Sequence, residues 1–155
     1  MAKADKKELE KQVILGAREY GISTVLFRHA VGERLGLNAT DMECLGVLFF
    51  KAIATPTELS QYTGLSSGAT TAMLDRMEKS GLIERKPNPN DRRGTNISIV
   101  QEAAMKVGPL FATLREAQNE QMASYSESEL GLLADFFKRS VAIWEKGRQE
   151  LRQKR

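Results

Sequence analysis

LSSGATTAMLDRMEKSGLIERKPNPNDRRG, residues 65–94, decides the fold. Ser66 or Ser67 supplies the hydroxyl that opens a helix. Ala69, Met73, Leu74 and Met77 then recur in steps of three and four, which predicts one inward helical face, and Gly81 ends it. Past Gly81 the period becomes extended. Leu82-Ile83-Glu84-Arg85-Lys86 and Thr95-Asn96-Ile97-Ser98-Ile99-Val100 read as two strands. Pro87 to Gly94 is so rich in turn residues that it reads as a loop, and Asp91-Arg92-Arg93 makes that loop basic. A helix followed by a hairpin with a charged tip is the expectation.

Working upstream, Thr55-Pro56-Thr57-Glu58 starts a short helix, with a Thr cap, Pro in the first turn and Glu three residues after the cap. That helix runs from Pro56 to Tyr62 and stops at Thr63-Gly64-Leu65. Helix, short turn, helix and hairpin in this order form a helix-turn-helix with a wing. Thr40 and Glu43 make a further capping box, ahead of a helix that buries Met42, Leu45, Leu48 and Phe49. From Asp5 to Leu35, Leu9, Val13, Gly16, Tyr20, Thr24, Phe27 and Val31 trace one face of a long first helix that Gly36 closes. Downstream, Ala104, Val107, Leu110, Phe111, Leu114, Gln118 and Met122 form a stripe that Gly108-Pro109 kinks or restarts. Ser126 with Glu129 caps the last helix, whose stripe is Leu130, Leu133, Phe137, Val141, Trp144, Arg148 and Leu151.

The fold class is therefore mainly α with a small β-hairpin wing: a winged helix-turn-helix domain flanked by long N- and C-terminal dimerisation helices. Residues 1–155 form a single domain, with the winged DNA-binding part at 37–100 and helical dimerisation parts at 5–36 and 102–153. The terminal helices carry wide apolar stripes that the small winged unit cannot cover, which calls for a second copy.

Composition narrows the function. The chain has 155 residues, a net charge of +3 and 41% hydrophobic residues, as a globular domain does. A single cysteine excludes an intrachain disulfide and a cysteine zinc cluster. With His29 the single histidine, no metal site and no cofactor are expected. There is no Gly-rich phosphate loop and no nucleophile beside a base, so no catalytic residues are assigned and the chain is not read as an enzyme. The N-terminus runs directly into charged helical sequence, and no apolar run is long enough for a membrane, so a cytoplasmic location is expected. Cys44 reads as a small buried hydrophobe rather than a redox sensor.

Double-stranded DNA is the partner that the winged pattern implies. The N-terminal residues of the second helix meet base edges in the major groove, here Ser66, Ser67, Gly68, Thr70 and Thr71. Arg76 lies further along and is expected to reach the phosphate backbone. Arg92 and Arg93 at the wing tip suit a narrow minor groove, with Asp91 orienting a guanidinium. The alternative is a winged-helix protein-interaction module without specific DNA binding, a class that usually lacks the basic wing.

The run from Leu65 to Arg85 resembles the recognition-helix signature of the MarR family of bacterial regulators. Asn88 to Arg93 resembles that family's wing, and Leu37-Asn38-Ala39-Thr40-Asp41 to Leu48 the opening of its second helix. Ala72 stands where the family often has a basic residue. The resemblance implies an obligate homodimer interlocked through the first and the C-terminal helices, binding a palindromic operator as a ligand-responsive repressor. It also implies a small aromatic or phenolic effector, for which Tyr20, Phe27, His29, Met42 and Phe49 are the candidate pocket residues, with Arg18 and Arg28 as candidate charges.

Overall fold

The computed structural model describes residues 5–89 and 91–153, without the side chains of residues 92, 93, 152 and 153. It divides into two compact units after Gly108.

The first unit begins with α1 (Lys6–Leu35), 30 residues long. Gly36 closes it at φ 67°, a left-handed conformation that glycine adopts without penalty. α2 (Ala39–Lys51) follows, capped by Asn38, whose side chain accepts the Asp41 N–H at 2.9 Å. The expected Thr40 cap is thereby corrected. The Thr40 hydroxyl instead donates to Asn38 Oδ1 at 2.7 Å, because the chain turns into α2 directly after Leu37. β1 (Ile53–Ala54) leads into α3 (Pro56–Thr63) and α4 (Ser67–Lys79). β2 (Ile83–Asn88), β3 (Asp91–Ile99) and α5 (Gln101–Val107) complete the unit.

The sheet is antiparallel with strand order β1-β3-β2. Two of its features revise the sequence reading. Ile53 and Ala54 pair with Ser98 and Ile97, adding a third strand too short to show a period. Residues read as loop also join the ladder: β2 reaches Asn88, which pairs with Asp91 after a register shift at Pro87/Asn88. The shift is a bulge that absorbs the surplus residues at the start of β3, so the hairpin extends to its tip.

α2, α3 and α4 bury Leu45, Leu48, Leu59, Met73, Leu74 and Met77 against Ile83 and Ile97 of the sheet, each at most 1% exposed. At about 1.5–3 kcal/mol for each buried side chain, this cluster is the main support of the winged part. Two expected inward residues are not in it, since Ala69 is exposed and Phe49 is 47% exposed. Thr70, Cys44 and Asp41 take the inward positions. α1 touches α2 where it has no side chain: a Cβ on Gly32 would lie 3.0 Å from the Leu37 carbonyl and 3.0 Å from Met42 Cγ. The rest of α1 exposes Val13, Ile14, Tyr20, Ile22, Val25 and Leu26, each by half or more.

Around the division of the units, Gly108–Phe111 forms a 3-10 turn before α6 (Ala112–Ala123), so Gly108-Pro109 breaks the C-terminal stripe into two helices. α7 (Glu127–Gln153) opens on the expected capping box, with Ser126 N–H donating to Glu129 at 2.8 Å and Glu129 N–H to Ser126 Oγ at 3.4 Å. α7 exposes Leu132, Val141, Ile143, Trp144 and Leu151, with Trp144 at 79%. Among the described residues, no helix is long and apolar enough to cross a membrane.

Candidate nucleic-acid interface

The turn between α3 and α4 is held from both sides. At the start of α3, Thr55 and Glu58 form a full capping box: Thr55 N–H donates to Glu58 at 2.8 Å and Glu58 N–H to Thr55 Oγ1 at 3.2 Å. Lys51 also bonds Glu58. The Lys51 bond, with the two Thr55 bonds behind it, lowers the Glu58 carboxyl to about 2. At its end, Gly64 turns the chain at φ 75°, and the Ser60 hydroxyl donates to the Leu65 carbonyl at 2.8 Å.

Ser66 then caps α4, its Oγ accepting the Ala69 N–H at 3.3 Å. That hydroxyl serves the helix first. Thr70 belongs to the core: it is 2% exposed and its hydroxyl donates to the Ser66 carbonyl at 2.9 Å. It shares the inward face with Met73, Leu74 and Met77, which removes it from the outer surface. Ser67, Gly68, Thr71 and Ala72 are exposed. The Thr71 hydroxyl bonds back to the Ser67 carbonyl at 3.0 Å, which turns part of its polarity inward. A Cβ on Gly68 would meet nothing within 4 Å. Nothing among the described residues therefore requires glycine there.

The cations behind this surface are organised by carboxylates. Arg76, a candidate for the phosphate backbone, has a side chain 47% exposed. Its Nε donates to Asp41 Oδ2 at 3.3 Å and its Nη2 to Asp41 Oδ1, a bidentate pair with a carboxylate only 3% exposed as a residue. Arg85 on β2 bonds Asp75 at 2.6 Å and also Glu78, both on α4, so it fastens the wing to the recognition helix. Lys79 and Lys86 are exposed, and Lys86 pairs with Glu84. Arg92 and Arg93 stand at the start of β3, but the expectation that they enter a groove falls on side chains outside the described residues. Asp91 lies at the hairpin end opposite Asn88. A Cβ on Gly94 would come within 3.2 Å of the Asp91 carboxylate and 3.1 Å of Asn88 Cβ, so a bare glycine lets the tip close.

Comparison with known proteins meets this geometry at the same place in the chain. Residues 37–95 match the MarR family. The HTH-type transcriptional regulator YcgE of Bacillus subtilis strain 168 is 36% identical over 148 residues, covering 96% of each chain. The chain belongs to the MarR family. Its fold is that of the transcriptional regulator Tm0710 from Thermotoga maritima (TM-score 0.59, 22% identity, 92% of this chain and 97% of that one). It is also that of a cysteine-to-serine mutant of MarR from E. coli complexed with operator DNA (TM-score 0.51, 24% identity, 88% and 99% covered). MarR-family proteins are winged helix-turn-helix transcriptional regulators that bind DNA as dimers.

In this MarR-family chain, a concavity of about 260 Å³ opens between α1 and α2. It gathers His29 and Met42 from the predicted pocket residues, while Tyr20, Phe27 and Phe49 are not among its lining. Val25, Glu33 and Leu37 also line it, aliphatic and acidic residues that no aromatic pattern in the sequence marks. Arg28 also lines it, donating to the Met42 carbonyl at 3.0 Å and pairing with Glu43 at 3.2 Å. The guanidinium lies across Gly46, whose Cβ would come within 2.9 Å of Nη2. Cys44 is fully buried, and burial, with Asp41 nearby, pushes its thiol up to about 12. A thiol so held stays protonated and unreactive near neutrality.

Proposed function

We propose that this chain is a sequence-specific double-stranded-DNA-binding transcriptional regulator that reads a palindromic operator as a homodimer and represses from it. One observation carries the reading. The first two turns of α4 present Ser67, Gly68, Thr71 and Ala72 without obstruction, next to a hairpin fastened to the same helix through Arg85. A small-faced helix enters a major groove closely, and a wing with Arg92 and Arg93 suits the adjoining minor groove. That the E. coli fold neighbour forms a complex with operator DNA supports DNA as the partner.

Residues 37–100 are the DNA-binding part, and 5–36 with 102–153 provide the dimer. The apolar side chains exposed along α1 and along α7 support that division, since patches of this extent are normally covered by a partner. The protein acts in the cytoplasm and catalyses nothing. A small aromatic or phenolic effector occupies the concavity between α1 and α2, where His29 and Met42 meet it.

The test is selection of genomic fragments by the protein, followed by fluorescence anisotropy of the selected and scrambled DNA across a salt series. The Arg92→Ala/Arg93→Ala double variant runs alongside. Selective binding that collapses in the variant supports the reading. Failure to select any site, or binding indifferent to the two arginines, supports the protein-interaction module instead. Steep salt dependence is expected, because each neutralised phosphate releases counterions.

A further inference from the structure

A guanidinium near DNA is ordinarily counted as a phosphate contact. Arg76 is half exposed and sits in the last turn of α4, where that reading comes readily. Its geometry faces the other way. Both hydrogen bonds described above run to Asp41, a carboxylate 3% exposed in the first turn of α2. That turn is fixed at the same point by two further contacts: Asn38 accepts the Asp41 N–H, and Arg28 of α1 donates to the carbonyl of Met42, the next residue. The first turn of α2 is thus gripped by an arginine from α1 and an arginine from α4. The α4 arginine acts on a helix whose two carboxylates, Asp75 and Glu78, are bound to the wing.

We infer that Arg76 is a positioning residue for DNA reading: paired with Asp41, it sets the angle at which α4 packs against α2, and it makes no phosphate contact. The inference rests on the DNA-reading function proposed above. The physical basis is that a bidentate pair fixes direction as well as distance, which a single ammonium group does not. Freed from Asp41, α4 keeps its buried face but loses its angular stop, so contacts that need alignment suffer while general attraction to DNA remains.

Two roles for Arg76 predict opposite signs, and Asp41→Asn separates them. A phosphate-binding Arg76 would be released by that change, and affinity would hold or rise as a negative charge disappears. A positioning Arg76 loses its anchor, and affinity for the selected site falls by about tenfold, with affinity for scrambled DNA unchanged. Arg76→Lys keeps the charge and loses the fork, so it should weaken selected-site binding as much as Arg76→Met does. Combining Asp41→Asn with Arg76→Met should be no worse than the weaker-binding single variant, because both remove one contact. The slope of log affinity against log salt should stay at the wild-type value throughout. A slope reduced by about 0.9 in Arg76→Met, with Arg76→Lys near wild type, overturns the inference and makes Arg76 a phosphate ligand.

Hydrogen exchange of the α4 amides in DNA-free protein provides a reading that does not depend on operator binding. Asp41→Asn should lower protection in α4 while α3 stays as it was. Unchanged protection in α4 overturns the inference. A wild type that selects no DNA refutes the regulator reading, and this exchange experiment then decides whether Arg76 positions α4.

Discussion

Replacing Arg85 by Met removes a cation that need not touch DNA for its loss to be felt there. Its guanidinium holds Asp75 at 2.6 Å and Glu78 beside it, and both carboxylates lie on α4 with 62% and 40% of their side chains exposed. Without Arg85 the cluster on α4 goes from one net negative charge to two facing a phosphate backbone. At about 8 Å from the nearest phosphate, a unit charge interacts by ~1 kcal/mol when the effective dielectric is ~40, between the surface and bulk values. Screening over a Debye length of about 8 Å reduces this to ~0.4 kcal/mol per charge at physiological salt. The one unit of positive charge lost then costs about 0.4 kcal/mol, or roughly a twofold loss of affinity. The fold should survive, since exposed ion pairs contribute only about 0–1 kcal/mol each to stability. Anisotropy with the selected DNA measures the loss, which should grow at low salt and vanish near ~1 M, where the Debye length is ~3 Å. Adding Asp75→Asn and Glu78→Gln should restore binding. An Arg85→Met variant that binds as wild type at low salt refutes the reasoning. So does a triple variant that recovers nothing, because Arg85 would then be a direct ligand of DNA.

Glu58 gives an acid window with a defined sign. Its carboxyl lies at about 2 in the folded chain against an ordinary 4.5, so its stabilisation is present above about 4.5 and disappears as pH falls toward 2. The unscreened linkage is ~3 kcal/mol, and with the side chain 37% exposed we expect ~1 kcal/mol. Urea denaturation should find Glu58→Gln weaker by that amount at pH 7 and equal to wild type near pH 2. Two glycines should respond oppositely to a side chain. Gly32→Val forces a methyl group against the Leu37 carbonyl and should destabilise by about 1–3 kcal/mol. Gly68→Ala meets nothing, so thermal unfolding should show equal or greater stability, by up to ~1 kcal/mol, while DNA affinity drops. Cys44 should resist alkylation in the native protein and react once denaturant exposes it, given full burial and a thiol at about 12; rapid native labelling would reopen the redox role set aside for it.

Local chemistry made much of this fold legible. Thr55 and Glu58 announce α3 because both halves of the capping box lie within one turn, and Gly64 and Gly81 mark turns at φ 75° and 68° that disfavour other residues. What escaped depends on distant partners. β1 is two residues long and exists because the edge of β3 is there to receive it, so no window of sequence reveals it. Thr40 and Asn38 are both good caps, and the choice between them follows from where Gly36 ends α1. At the site, the sequence supplies cations but not their partners. Arg76 and Asp41 are 35 residues apart, and nothing between them indicates the pairing. Thr70 is different. Its position on the face of Met73, Leu74 and Met77 marks it as inward, and the signal was present in the spacing.

In the proposed complex two copies of α4 enter successive major grooves of one duplex. Hydroxyl-radical footprinting of a selected operator measures this directly. Two related protected regions are expected, centred about 10 base pairs apart or a multiple of that spacing on one face of the duplex, with flanking minor-groove protection that disappears in the Arg92→Ala/Arg93→Ala variant. A single protected half-site, or protection without helical phase, would contradict it.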